Sequence, residues 1–261
     1  MSWRFLFQKS LRKFRKFPPA FAVIYLLFLT STAQADRLDG LQIGKGDALT
    51  IVVLHGDQTS GGDPNYLFWL GIELAKRLPD ATVHMLLRPG YADPWGRQSP
   101  GENHDRRDQY TLESAARIVD TLQALDTDAP MIAVGHSGGA AQLALTLSLG
   151  DNPLDEAVLV GCPCDLDLWQ TANPSWPKGM FSRSTPAVDV VPDTNARVTI
   201  IVGGNYSVTR PDQSRRYLRH LQHHGVEAQL FEVSGGDHVG NRALSSAWLQ
   251  SVLDTAGGVT R

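Results

Sequence analysis

The sequence predicts an α/β architecture, a mostly parallel β-sheet covered by helices on both faces. Three observations carry that prediction. Short apolar runs at 50–54, 81–87, 131–134, 157–160, 198–202 and 228–233 are rich in Val, Ile and Leu and nearly continuous in apolarity. That is the pattern of strands buried on both sides. Longer segments at 66–78, 111–125, 140–149, 214–224 and 242–253 separate these runs and repeat their apolar residues at helical spacing. In the second of them Leu112, Ala115, Ile118, Val119 and Leu122 fall on one face. Finally, strand and helix patterns alternate along the chain, with no internal repeat and no low-complexity tract.

Two segments interrupt the alternation. Residues 88–110 are rich in Gly, Pro and charge and read as a long loop on the rim of the sheet. Residues 162–196 carry Trp169, Trp176, Met180 and Phe181 among five prolines. An excursion of this length is expected either as a lid over a binding site or as aromatics packed on the sheet edge.

The N-terminus is set apart by composition. Arg4, Lys9, Arg12, Lys13, Arg15 and Lys16 form a basic stretch without an acidic residue, followed by an apolar run over 20–29 and by Ala33-Gln34-Ala35. This order is that of a secretory signal peptide over residues 1–35 with cleavage after Ala35, leaving a domain over residues 36–261. Ten apolar residues at roughly 1.5 Å each fall short of a hydrocarbon core of about 30 Å, so no stable membrane anchor is expected after cleavage. Nor is there a cysteine near the cleavage site to take a lipid. The expected location is periplasmic or secreted.

The full chain has 24 basic and 27 acidic residues, and all six basic residues of the first 35 would be removed. The remaining chain carries 18 basic residues against 27 acidic, a net charge of −9 with His neutral. Such a surface gains nothing from the counterion release that drives nucleic-acid binding, so a nucleic-acid partner is not expected. Cys162 and Cys164 stand in Cys-Pro-Cys. A bridge across one residue asks for unusual backbone geometry, and two small residues packed after a strand is the simpler expectation. No further metal ligands lie within motif spacing of the pair, and neither a metal nor an organic cofactor is implied.

The chemistry concentrates in Gly135-His136-Ser137-Gly138-Gly139, a G-x-S-x-G pattern directly after an apolar strand and directly before a helix. A sharp turn there would lift the Ser137 hydroxyl clear of the sheet and aim the Gly138 N–H at the reacting centre. Gly135 and Gly139 are required where side chains would strike the neighbouring helix and strand. A serine hydroxyl needs a base to take its proton. Of the eight histidines, His220, His223 and His224 lie on a C-terminal amphipathic helix and are expected to face solvent. His84 lies within a strand, as a core histidine, and the turn directs the His136 ring away from Ser137. His238, in Gly235-Gly236-Asp237-His238-Val239-Gly240 after the last strand, remains as the base. Leu54-His55-Gly56-Asp57 follows the first strong strand, where a backbone N–H at or beside Asp57 can supply the second oxyanion donor and His55 supports the loop.

With these pieces and the Arg88-Pro89-Gly90-Tyr91 turn, the chain resembles the α/β-hydrolase superfamily, serine esterases and lipases in particular, over nearly all of residues 36–261. The resemblance implies the α/β-hydrolase fold and a Ser137–His238 acyl-enzyme mechanism acting on a small-molecule acyl substrate, with Asp57 and Gly138 as the oxyanion hole. It also implies an acid just after the penultimate strand. There the sequence reads Gly203-Gly204-Asn205-Tyr206, and Tyr206 occupies the place expected for Asp. Asp165, after the preceding strand, is the favoured acid. Asp212, at a helix start, and Asn205, without a charge, stay open, as does a Ser–His dyad. Two other activities also remain open. One is a serine peptidase, though the chain is too short to carry the propeller of prolyl-oligopeptidase-like enzymes. The other is a non-catalytic binding protein that kept the fold.

Overall fold

Successive residues of a strand point to opposite faces of its sheet, and β2 (Leu49–Leu54) is buried on both. Val52 and Leu54 enter one hydrophobic layer, whereas Leu49, Ile51 and Val53 enter the other. The computed structural model describes residues 37–59, 62–104, 110–125, 127–236 and 242–259. The proposed signal segment, residues 1–35, lies outside them, as do Asp237 and His238.

The strands are β1 (Gly40–Ile43), β2, β3 (Ala81–Leu86), β4 (Met131–His136), β5 (Glu156–Val160), β6 (Arg197–Gly203) and β7 (Ala228–Val233). They form a seven-stranded sheet in the order β1-β3-β2-β4-β5-β6-β7. β1 pairs antiparallel with β3 and every other neighbouring pair is parallel. The first hydrophobic layer is covered by α2 (Leu112–Gln123), α3 (Gly138–Thr146) and α5 (Pro211–His223). The second is covered by α1 (Phe68–Arg77) and α6 (Arg242–Val259). All nine residues of α3 are buried, because this helix lies across the middle of the sheet.

The strand order places the site. β2 is flanked by β3 on one side and β4 on the other, so the connections leaving the C-terminal ends of β2 and β4 part in opposite directions. Such a switch point opens a crevice at the carboxyl ends of the strands. Register brings Leu54 level with Gly135 and His136 level with Val160, so His55–Asp57 and Ser137 emerge side by side.

The six predicted strands are present with small shifts of boundary, and β1 is the strand that sequence periodicity missed. Its four residues, Gly-Leu-Gln-Ile, are at most half-buried and offer no apolar run. α5 starts at Pro211, ahead of the predicted 214, since proline at the first helical position loses no hydrogen bond. The excursion at 162–196 holds a helix, α4 (Leu166–Ala172), and a single 3-10 turn, Ala187–Asp189. Its aromatics pack on one another: Trp176 edges onto Trp169, and Trp169 onto Phe181.

Two expectations need correction. Cys162 and Cys164 are joined by a disulfide with their Cα atoms 5.2 Å apart, inside the normal range for a bridge, so they are not two separate small residues. His220 does not face solvent freely. Its Nε2–H donates to the Val190 carbonyl at 2.8 Å, and burial pulls its pKa down. His223 and His224 are exposed as expected, and His84, half-buried in β3, is likewise held below its ordinary pKa by burial.

The loop over 88–110 is tied by Asp93. Its carboxylate accepts from the Trp95 and Arg97 backbone N–H groups, from Arg97 Nε at 2.7 Å and from the Asn65 amide. Burial alone would raise its pKa, but the bonds from Arg97 and Trp95 outweigh it and hold the carboxyl below its ordinary value. A depressed carboxylate stabilises the fold above the unfolded pKa, and that contribution is lost as pH falls through the folded one. Asp93→Asn should therefore lower Tm at pH 7, with the gap from wild type closing below about pH 4. Thermal melts of both proteins across that range check it, and a pH-independent gap would reject the electrostatic account.

Candidate active site

Ser137 has φ 52° and ψ −118°, a conformation that costs a residue with a β-carbon energy. The turn is fixed from both sides. The Ser137 N–H donates to the Val160 carbonyl of β5 at 2.8 Å, and the Ser137 carbonyl accepts the first bond of α3, from Ala141, at 3.0 Å. A β-carbon on Gly135 would stand 2.7 Å from the backbone of Ala140, and one on Gly139 would stand 2.5 Å from the Leu54 carbonyl and strike that of His55. The two glycines thus let strand, turn and helix close on each other as the sequence requires. Ser137 stays half-buried among buried neighbours, its side chain at the rim of the sheet.

The loop after β2 lies directly against this turn. A β-carbon on Gly56 would sit 3.1 Å from the Ser137 β-carbon, and one on Gly138 would collide with the Asp57 carboxylate and with Arg88 Nη1. Ser137, Gly138 and Asp57 are therefore brought together. His55 supports the loop: its Nδ1–H donates to the Gly56 carbonyl at 2.8 Å, which leaves Nε2 to accept from the Arg88 N–H at 3.1 Å.

Sequence reading passed over the polar groups behind the loop. Arg88 is fully buried and its Nη2 meets Asp57 Oδ1 at 2.6 Å. The Tyr110 hydroxyl donates to Asp57 Oδ2. Burial works against the guanidinium charge, but Asp57, with Tyr91 and Tyr110, outweighs it and raises the Arg88 pKa. Burial, then the Asp57 charge, pushes the Tyr110 phenol well up, so it remains a neutral donor. The signal was partly available, since Arg88 interrupts an apolar run, but nothing near Tyr110 in sequence points to a residue 53 positions away.

Both ring nitrogens of His136 meet phenol groups. The Tyr66 hydroxyl accepts from the Gly56 N–H at 2.8 Å and so gives its own hydrogen to His136 Nδ1. Nε2–H then faces the Tyr206 hydroxyl at 3.4 Å, and the ring stacks on Trp248. Tyr206, at the place where an acid was expected, is buried and lies against Gly161. Its neighbour Asn205 donates its N–H to the Gly236 carbonyl at 3.2 Å, so the turn after β6 is tied to the turn after β7. His238 itself lies outside the described residues, and so does its distance from every candidate acid.

Asp165 is buried in the segment after β5, where Oδ1 accepts from the Leu168 N–H at 3.0 Å as the N-cap of α4. Its Oδ2 pairs with Arg216 Nη1 at 2.8 Å. Asp212 stands in the first turn of α5, where it accepts from the Gln213 N–H and pairs with Arg210 at 2.9 Å. The cap position of α5 is Arg210, which makes no side-chain cap bond. Among the described residues no group of three or more His, Cys, Asp or Glu could hold a metal ion, and no helix is long and apolar enough to cross a membrane. Gly139→Ala should prevent the elbow from closing on the β2 end, at a cost of several kcal/mol. Chemical denaturation checks it, and a loss below about 1 kcal/mol would mean that α3 can shift to admit the methyl group.

Comparisons with known proteins agree with this fold. Esterase PE8 aligns over 84% of this chain and 99% of its own, at 20% identity and a TM-score of 0.58. Est1E from Butyrivibrio proteoclasticus, solved with ferulic acid bound, aligns over 84% and 96%, at 14% identity and a TM-score of 0.63. A monoacylglycerol lipase from Paleococcus ferrophilus aligns over 85% and 99%, at 17% identity and a TM-score of 0.61. At these identities the likeness is one of fold. No curated protein sequence matches the chain significantly. The sequence profile of the Alpha/beta hydrolase family matches residues 51–248, which run from within β2 through the Ser137 turn into the first two turns of α6, and the chain belongs to that family.

Proposed function

We propose that the chain is an exported serine hydrolase that cleaves ester-type bonds of a small-molecule acyl substrate. Ser137 is the nucleophile, His238 the general base, and the backbone amides of Asp57 and Gly138 the oxyanion donors. The observation that carries the reading is the positive φ of Ser137 in a turn packed directly on Gly56 and Asp57. A strained serine at the switch point, with two backbone donors beside it, is the arrangement that acyl transfer needs. The fold-level likeness to proteins named as esterases and a lipase favours esters over other acyl substrates.

In this reading the Ser137 hydroxyl attacks the acyl carbonyl while His238 takes its proton. The two amides hold the negative oxygen of the tetrahedral intermediate. His238 returns the proton to the leaving alcohol, and a water activated by the same ring then releases the acyl group. Asp165 is the acid of the proposal: its carboxylate is buried in the segment after β5, where it also pairs with Arg216, whereas the Asp212 carboxylate is exposed and Asn205 has no charge.

Export rests on the basic stretch, apolar run and Ala33-Gln34-Ala35 of the first 35 residues. Protein recovered from the exported fraction should begin at Asp36. Mass spectrometry that finds residues 1–35 intact there would make the segment an anchor.

Ser137→Ala should abolish fluorophosphonate labelling and lower ester turnover by roughly 10⁶-fold with the fold intact, and His238→Ala should lose as much, since members of one catalytic unit fail together. Hydrolysis of short- and long-chain p-nitrophenyl esters is the assay. Residual Ser137→Ala activity within tenfold of wild type would remove the nucleophile assignment, and a wild-type protein that does not label would favour a binding protein. In the same assay Asp165→Asn should lower kcat by orders of magnitude with KM little changed. A variant that loses only thermal stability would leave Asp165 as the cap of α4 and partner of Arg216.

A further inference from the structure

The residue whose amide is proposed as an oxyanion donor carries a carboxylate. Asp57 lies against Gly138, so close that no side chain at 138 could be accommodated. A bare negative charge there would oppose the charge that develops on the substrate oxygen, because Coulomb repulsion over a few ångströms is weakly screened in a water-poor site. The structure cancels it twice. Arg88, which has no exposed surface, sets Nη2 2.6 Å from one carboxylate oxygen, and the Tyr110 hydroxyl binds the other.

We propose that Arg88 and Tyr110 are positioning residues of the oxyanion site, which neutralise the Asp57 carboxylate beside Gly138 and fix the loop that presents the Asp57 amide. The inference rests on the reading of Ser137 as nucleophile with those two amides as donors. Neither side chain touches substrate, and both act through Asp57.

Their own anchoring fits the role. The Arg88 N–H is bonded to His55 Nε2, and the guanidinium lies over the Tyr91 ring, 5.2 Å from its centre. Tyr110 is clamped by the excursion. Phe181 stacks on its ring with centroids 5.4 Å apart, its carbonyl accepts from the Thr185 N–H at 2.7 Å, and its own N–H donates to the Ser184 hydroxyl at 3.2 Å. The aromatic cluster of Trp169, Trp176 and Phe181 thereby reaches the oxyanion loop through one hydroxyl. Among the described residues, the titratable groups around the Asp57 carboxylate and its partners are Arg88, Tyr110, Tyr66 and Tyr91. Burial pushes the Tyr66 phenol up as it does that of Tyr110, leaving Arg88 as the cation among these four.

The test compares Arg88→Met, which strands the carboxylate, with Asp57→Asn/Arg88→Met, which removes both charges. The readouts are the rate of Ser137 phosphonylation by a fluorophosphonate probe and kcat and KM for a p-nitrophenyl ester. Arg88→Met should slow both reactions by about 100-fold with KM nearly unchanged, on the scale of losing an oxyanion donor. The double variant should recover roughly tenfold of that loss, because its site carries no opposing charge. A structural role alone predicts a lower Tm for Arg88→Met with the rates of the folded protein unchanged, and that outcome would overturn the proposal. A double variant as slow as Arg88→Met, or Arg88→Met within threefold of wild type, would overturn the proposal. Should Arg88→Met fail to fold, Tyr110→Phe decides. It should lower kcat about tenfold in the native background and less than twofold in the Asp57→Asn background, and equal losses in both would overturn the proposal. A wild-type protein that does not phosphonylate at all would overturn the nucleophile reading together with this one. Labelled wild type with unaffected variants would overturn this one alone.

Discussion

Three backbone segments meet at the end of β4 with no room for a β-carbon between them. The Gly139 α-carbon faces the carbonyls of Leu54 and His55, Gly135 faces the backbone of Ala140, and Gly56 faces Ser137 itself. This close approach forces the positive φ at Ser137, since a strand that turns at once into a buried helix has no other path over the β2 end. Parallel pairing of β2 with β4 and the burial of every residue of α3 hold that geometry in place. The strain is local, but the restraint is spread over the central strands and the helix between them.

The same packing explains why charge lies so close to the proposed nucleophile. Without a side chain at 138, the space beside the turn is filled by the Asp57–Arg88 pair. A buried pair of this kind recovers its desolvation cost only with good geometry and additional hydrogen bonds. Here Tyr110 supplies a bond to the carboxylate, and the Arg88 ring partner Tyr91 has its hydroxyl 3.4 Å from Nη2. Replacing one member should therefore cost more than replacing both, because a lone buried charge has nothing to offset its desolvation.

How much was legible in sequence follows from the range of each interaction. The strands announced themselves by continuous apolarity, since both faces of the central sheet are covered. β1 did not, because a short antiparallel edge needs no such run. The Ser137 turn was legible because its determinants, Gly135 and Gly139, are local and glycine is the one residue that fits. Arg88, Tyr66 and Tyr110 were not read as part of the site, as their partners lie 31, 70 and 53 residues away. The Cys162–Cys164 bridge was misjudged because spacing alone does not reveal the turn that separates their Cα atoms by 5.2 Å.

Tyr206 shows how a departure from the family pattern can be absorbed by the fold. An aspartate at that position would have to stay near water or a cationic partner, whereas the tyrosine is buried against Gly161 and sends its hydroxyl to His136. Tyr66 holds the opposite nitrogen of the same ring, so two phenols and Trp248 fix a histidine directly beside the proposed nucleophile in sequence. Burial keeps the Tyr66 phenol neutral, as a donor to Nδ1. That frame stiffens the β4 end from the α1 and α6 side, while Arg88, Asp57 and Tyr110 stiffen the β2 end from the other. In the proposed reading the carboxylate that orients His238 is Asp165, whose two oxygens in this structure cap α4 and pair with Arg216.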